Sequence, residues 1–174
     1  MKYNRNRTKK LAFIGLFASL AMLMSYIEFL LPPIFVAVPG IKVGLPNVII
    51  LYVLYSFGVK YAALVSFIRL ALSAMLFGNI TTLWYSLAGA VISLTLMALL
   101  KRARLFSEVG VSVVGGVSHN LGQIIVAVIL LDTPQIAYYM VVLAVTGTIS
   151  GVFIGLLGAL MLKRLPYSKI FKLG

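Results

Sequence analysis

The sequence contains no cysteine, only three acidic residues and a single histidine. The absence of cysteine excludes disulfide bonds, thiolate metal sites and a cysteine nucleophile. Magnesium-dependent phosphoryl chemistry gathers several carboxylates at one site, and a zinc site needs three or four protein ligands. Glu28, Glu108, Asp132 and His119 are too few and too scattered for either. The chain also lacks the G-x-x-x-x-G-K-[ST] loop that binds ATP. We therefore predict a protein that is not an enzyme and that carries no metal or cofactor.

Charged residues make up only 10% of the 174 residues, whereas 62% are apolar. A soluble domain has about 25% charged residues, so this chain has too little polar surface to cover a globule in water. We predict an all-α integral membrane protein, a bundle of six transmembrane helices. A rival topology has four spans, with 43–77 entering and leaving the membrane on one side. The predicted spans are 11–31, 43–57, 61–77, 83–100, 109–131 and 136–162. They form a membrane domain, 11–162, between a basic N-terminus, 1–10, and a basic tail, 163–174.

The positive charge is distributed unevenly along the chain, whose net charge is +12. If the N-terminus is inside, thirteen of the fifteen lysines and arginines fall in cytoplasmic segments. Because cytoplasmic loops retain positive charge, this distribution favours six spans with both termini in the cytoplasm. The four-span rival would leave Lys60 within the bilayer. The basic excess therefore indicates topology and contact with anionic membrane lipid rather than with nucleic acid. We predict a multi-pass protein of the plasma membrane.

The connection 32–42, after the first span, is apolar and rich in proline. A solvated linker would be polar, so this segment is expected to pack on the outer mouth of the bundle or to lie in the interface. Two interpretations stay open, a lid over a binding site and a structured cap.

Polar side chains within the predicted spans are the candidates for a ligand site, because such groups are costly in lipid and usually face a cavity or a partner. Arg69 lies within the third span, and its partner is expected to be either Glu28 or an anionic ligand. The fifth span carries His119, Asn120 and Gln123, which either line a ligand site or form a hydrogen-bond network between helices. Asn47 and Asn79 are expected nearer the outer mouth.

Small residues recur at helical spacing in several spans, and such faces let backbones approach closely in lipid. The sixth span shows the pattern most strongly, with Gly147, Gly151, Gly155 and Ala159 four residues apart. We predict packing within the molecule at these faces. An additional face on the first span could instead dock another membrane subunit.

Four sequence segments resemble the Gx transporter family, which is also known as heptaprenyl diphosphate synthase component I. They are Leu45-Pro46-Asn47, Arg69 in the third span, Tyr85-Ser86-Leu87-Ala88-Gly89, and Ser118-His119-Asn120-Leu121-Gly122-Gln123. The resemblance covers about residues 11–162. The family is similar to the substrate-binding S components of energy-coupling factor (ECF) transporters, which are six-helix proteins with both termini inside. This similarity implies a partner that consists of a transmembrane coupling subunit with two ATPases. It also implies a docking motif on the first helix, for which the candidates are Gly15, Ala18 and Ser19.

These observations lead to one main hypothesis and two alternatives. The main hypothesis is a membrane-embedded substrate-binding subunit for uptake of a small, partly apolar molecule, for which an anion is one candidate. A vitamin, an isoprenoid or a quinone precursor would fit that description. The first alternative is a non-catalytic membrane component of a quinone-linked electron-transfer complex or of a prenyl diphosphate synthase complex. The second is a small transporter that works by itself as an oligomer.

Overall fold

Apolar helices account for nearly all of the chain that the computed structural model describes, which is residues 2–31 and 44–166. No strand occurs within these two ranges, so the predicted all-α fold class is confirmed. The loop 32–42, predicted as a lid or a cap, lies outside the described residues. The helices are α1 (Lys2–Leu30), α2 (Pro46–Phe57), α3 (Val59–Leu76), α4 (Ile80–Ala103), α5 (Glu108–Leu131), a 3₁₀ helix (Pro134–Tyr139) and α6 (Met140–Arg164).

Every helix differs by some residues from its predicted span, and two of these differences affect how the spans are counted. The predicted sixth span begins at 136, but the structure places a 3₁₀ helix at Pro134–Tyr139 before α6. The proline ring at the first position of this short helix fixes φ but removes a backbone donor, which favours a separate turn. The other difference is α2, which has only 12 residues and rises about 18 Å. Five other helices in the described ranges are long and apolar enough to cross a membrane, so the count of six spans stays a prediction.

The outer surfaces of the helices carry large apolar side chains. Met75, Val141 and Ile129 are 82%, 72% and 71% exposed, and many leucines and valines share these surfaces. Such a continuous apolar exterior is stable in lipid and not in water. The chain is therefore a multi-pass membrane protein.

Hydrogen bonds between helix ends show how the helices are arranged. The ends of α2, α4 and α6 meet, because Lys101 Nζ donates to the Leu54 carbonyl oxygen at 2.7 Å and Tyr52 donates to that of Leu165 at 2.7 Å. We call this the basic end, since Arg102 and Arg164 also lie in the last turns there. At the opposite end, the side chain of Glu28 accepts a hydrogen bond from the backbone N–H of Gly44. We call it the mouth end.

The short helix α2 is the most enclosed helix of the bundle. It contacts α1, α3 and α6, and its buried side chains Leu51, Tyr52 and Leu54 are not accessible at all. Gly58 separates it from α3 with a φ of 92°, a conformation that favours glycine over residues with a side chain. The burial of α2 explains how so short a helix is stabilised: protein, rather than lipid, surrounds it.

Replacing Lys101 with methionine should lower the free energy of unfolding by about 1.5–3 kcal/mol, the range for hydrogen bonds to a charged group. The Lys101 ammonium group satisfies carbonyls at the end of α2 and lies 5.2 Å from the centre of the Tyr55 ring. Equilibrium unfolding in mixed micelles measures the change. Arg102→Met is the matched control, because Arg102 is exposed at the same end, and it should change stability by less than about 0.5 kcal/mol. Equal effects of the two substitutions would contradict a specific role for Lys101.

Glycine residues bring α4, α5 and α6 into close backbone contact. A Cβ atom at Gly116 would lie 2.5 Å from the Gly147 oxygen, and one at Gly122 would lie 2.8 Å from the Gly89 Cα. A Cβ at Gly151 would lie 2.6 Å from the Cα of Val113. The small-residue face of α6 therefore packs within the molecule, as predicted.

Candidate ligand-binding site

A cavity of about 910 Å³ lies between the helices. Its size falls within the range of small-molecule sites, roughly 300–1,000 Å³. All six helices contribute to its wall. All six side chains predicted to bind a ligand are among the residues that line it: Asn47, Arg69, Asn79, His119, Asn120 and Gln123.

Arg69 is the only basic residue of the described wall, and it is 8% exposed. It lies on the inward face of α3, one turn from Ser66 and Ser73, which also line the cavity. The Arg69 Nη1 atom donates a hydrogen bond to Ser25 Oγ at 3.2 Å, whereas its Nε atom is buried and has no hydrogen-bond partner in the described part of the chain. The Glu28 carboxylate, which also lines the cavity, is the acidic group whose charge acts on this guanidinium. An unsatisfied buried donor costs about 1–3 kcal/mol, so Arg69 is positioned to gain from an additional acceptor.

His119 faces the cavity from the middle of α5, at about the same depth as Arg69. Its imidazole lies against Gly89 of α4 and is close enough to Arg69 for the guanidinium charge to act on it. A Cβ atom at Gly89 would lie 3.0 Å from the imidazole Nδ1, so the absence of a side chain on α4 makes room for the ring. The guanidinium and the imidazole thus share one cavity.

The two amides on α5 differ in what they contact. Asn120 Nδ2 donates to the Leu143 carbonyl oxygen of α6 at 2.7 Å, so this side chain links helices in addition to lining the cavity. Gln123 is half-buried and has no hydrogen-bond partner within the described residues. Of the two, Gln123 has its full hydrogen-bonding capacity available to the cavity.

The two asparagines predicted near the mouth lie at helix starts. Asn79 precedes α4 and caps it, since its Oδ1 accepts from the Thr82 backbone N–H at 2.8 Å and from the Thr82 hydroxyl at 2.9 Å. Asn47 is in the first turn of α2, beside Gly44. The cap gives Asn79 a structural role that sequence reasoning did not identify.

Serines also line the cavity, in addition to the six predicted side chains. Ser66 and Ser112 are 6% and 4% exposed, line the cavity and have no hydrogen bond to the protein within the described residues. Ser66 lies three residues before Arg69, and Ser112 lies seven residues before His119, so each serine shares a helix face with the predicted residue. This spacing is the sequence signal that could have identified the two serines.

The residues predicted to dock a partner do not share one face. Ala18 is 5% exposed and belongs to the hydrophobic core with Ile14 and Phe17. Gly15 and Ser19 are exposed, and a Cβ at Gly15 would meet nothing within 4 Å. Ala18 is buried because the rotation of α1 that buries Phe17 also buries Ala18, and the docking role of the three residues stays a prediction.

No cluster of three or more potential metal ligands exists among the described residues. The fold and the cavity define a class of protein, a polytopic α-helical membrane protein with a mixed polar and apolar internal cavity. The chain belongs to the family Heptaprenyl diphosphate synthase component I, whose family model matches residues 17–161. Searches of curated proteins and of solved structures found no match.

Proposed function

We propose that the protein is a substrate-binding subunit of the S-component type, which takes up a small, partly apolar molecule through the plasma membrane. The ligand is an anion or has an anionic group, and a vitamin, an isoprenoid or a quinone precursor fits this chemistry. Arg69, His119, Asn120 and Gln123 contact it, with Asn47 and Asn79 nearer the entrance. The mouth end faces outward and the basic end faces the cytoplasm, as the bias of positive charge favours.

The observation that carries this proposal is a buried guanidinium in a cavity large enough for a small molecule. An ionised side chain at membrane depth is costly and is usually a functional group. A purely structural arginine would have its donors satisfied by the protein, but the Nε of Arg69 has no hydrogen-bond partner among the described residues. A ligand anion would pair with the guanidinium that lines the cavity.

A second candidate function is a membrane component of a prenyl diphosphate synthase complex. It is favoured by the description of the family, which names a component of such a synthase. In this alternative the catalytic subunit is a separate protein, and the cavity residues hold the bundle together or contact a lipid-like headgroup. Co-purification distinguishes the two candidates: a coupling subunit with ATPases supports uptake, whereas a synthase or redox protein supports the second candidate.

The experiment that tests the site combines ligand identification with uptake. Mass spectrometry of small molecules that purify with the wild-type protein identifies a ligand, and its labelled form is then offered to cells or vesicles. Arg69→Ala and His119→Ala should each reduce the retained ligand and its uptake at least about tenfold, since each removes a hydrogen bond or charge from the cavity. Thr148→Ala is the matched control, because the exposed Thr148 hydroxyl bonds only its own helix, to the Ala144 carbonyl oxygen. Unchanged ligand content and uptake in both cavity variants would refute the site.

A further inference from the structure

The charges in the described wall of the cavity are few and nearly balanced. One guanidinium, Arg69, and one carboxylate, Glu28, line the cavity, and the other titratable side chains of the described wall are Tyr85, His119 and Tyr139. No lysine lines the cavity within the described residues. A diphosphate group carries at least two negative charges, and burying it beside a single cation leaves charge unpaired in a medium of low dielectric. Because Glu28 already balances Arg69, every anion adds unpaired charge, and a ligand with one negative charge adds the least.

The hydrogen bonding of Arg69 favours a particular kind of anion. The Nη1 atom donates to Ser25, and the Nε atom is enclosed by protein without a hydrogen-bond partner among the described residues, so the guanidinium has unused donors beside the cavity. Two adjacent N–H groups of arginine match the two oxygens of a carboxylate, and this bidentate contact gives both strength and orientation. Within the described residues Glu28 accepts no hydrogen bond from Arg69, although its charge acts on the guanidinium. Its Oε1 instead accepts the Gly44 N–H.

The rest of the cavity wall indicates that the remainder of the ligand, its body, is uncharged. The side chains of Leu70, Leu94, Met97, Ile124 and Ile154 give the cavity a large apolar surface. Gln123 lies one helical turn, about 6 Å, beyond His119 toward the mouth end, and its amide is unpartnered in the described structure. These groups suit a body that is mostly apolar and has an uncharged polar group to bond with the Gln123 amide.

We propose that the cavity selects a monocarboxylate with an uncharged, largely apolar body, whose carboxylate binds the Arg69 guanidinium, in preference to a prenyl diphosphate. This inference rests on the proposed function, because it names the substrate class of the same cavity. It also distinguishes this cavity from one that would hold a prenyl diphosphate.

The test uses the purified full-length protein in lipid nanodiscs and a panel of probes. The carboxylates are benzoate, 1-naphthoate and 9-anthracenecarboxylate, each paired with its neutral carboxamide, and the diphosphates are geranyl and farnesyl diphosphate. Ligand-induced thermal stabilisation and equilibrium binding are measured for each probe. We expect saturable binding of at least one carboxylate, at least about 30-fold weaker binding of its carboxamide, and weaker binding of both diphosphates.

Variants assign the binding to Arg69. Arg69→Gln keeps hydrogen-bonding groups but removes the charge, and it should weaken carboxylate binding at least about 30-fold. Arg69→Lys keeps the charge and loses the planar edge, so its binding should be intermediate, and it also reports on binding if the glutamine variant does not fold. Arg102→Gln, at an exposed arginine outside the cavity, should bind as the wild type does.

The possible failures are distinguishable. Tighter binding of a prenyl diphosphate than of every carboxylate, or equal binding of a carboxylate and its carboxamide, overturns the substrate class but leaves a ligand site in place. Carboxylate binding that is unchanged in both Arg69 variants overturns the assignment to Arg69. If no probe binds and no small molecule purifies with the protein, the inference and the proposed function are both refuted.

Discussion

Replacing Gly116 with alanine is expected to destabilise the protein by about 3 kcal/mol, the upper part of the range for overpacked sites. The new Cβ would lie 2.5 Å from the backbone oxygen of Gly147, and a backbone atom cannot move aside by changing rotamer. The α5 and α6 helices would have to separate. Heating followed by fluorescence-detected size exclusion gives the change in melting temperature, and unfolding in mixed micelles gives the free energy.

Gly15→Ala provides a matched control for this substitution. Gly15 is also a glycine within an apolar helix, but a Cβ there meets nothing within 4 Å. Because alanine favours the helix by up to about 1 kcal/mol over glycine in water, this variant should be neutral or slightly more stable. A Gly116→Ala protein as stable as Gly15→Ala would show that the two helices do not pack as closely as the structure has them.

The second large effect concerns the opposite charges in the cavity wall. Arg69→Gln and Glu28→Gln should each destabilise the protein by about 3 kcal/mol, because each variant weakens a hydrogen bond of a charged group, to Ser25 or from Gly44, and leaves the opposite charge less compensated. The double variant should be more stable than the sum of the single effects predicts, with a coupling energy of at least about 1 kcal/mol. The four proteins are compared by equilibrium unfolding at one pH and one salt concentration.

A parallel cycle separates electrostatic coupling from general damage to the bundle. Arg102 is an exposed arginine at the basic end, so Arg102→Gln combined with Glu28→Gln should be additive within about 0.5 kcal/mol. Additive effects in the Arg69 cycle as well would contradict an interaction between the two cavity charges.

The sequence allowed the prediction of helices and of the residues that meet in the cavity, and the reason is periodicity. Arg69 and His119 lie at similar distances from the starts of their helices, and the small or polar residues around them repeat every three or four positions. The spacing therefore predicts which side chains face the inside of the bundle. The rise of the helix per residue predicts that Arg69 and His119 lie at a common depth. Whether these residues bind a ligand stays a prediction.

Other features depend on contacts that local patterns do not contain. The burial of Ala18 follows from aromatic packing of Phe17 against Tyr52, with ring centroids 5.2 Å apart, and this contact joins distant parts of the chain. The bond from Asn120 to the Leu143 carbonyl likewise requires the crossing of α5 and α6. The capping role of Asn79 could have been predicted, because asparagine before a helix commonly accepts from its first turn.

The two halves of the cavity wall are held together in different ways. Helices α4, α5 and α6 meet through backbone atoms at glycines, whereas α1 and its neighbours meet through rings, such as Phe29 and Phe77 at 5.0 Å. Ring contacts adjust by rotation of a side chain, but backbone contacts allow no such adjustment. Substitutions in the aromatic half could therefore enlarge the cavity for a larger ligand, in evolution or in protein engineering. The glycine half, in contrast, fixes the positions of Gln123 and His119.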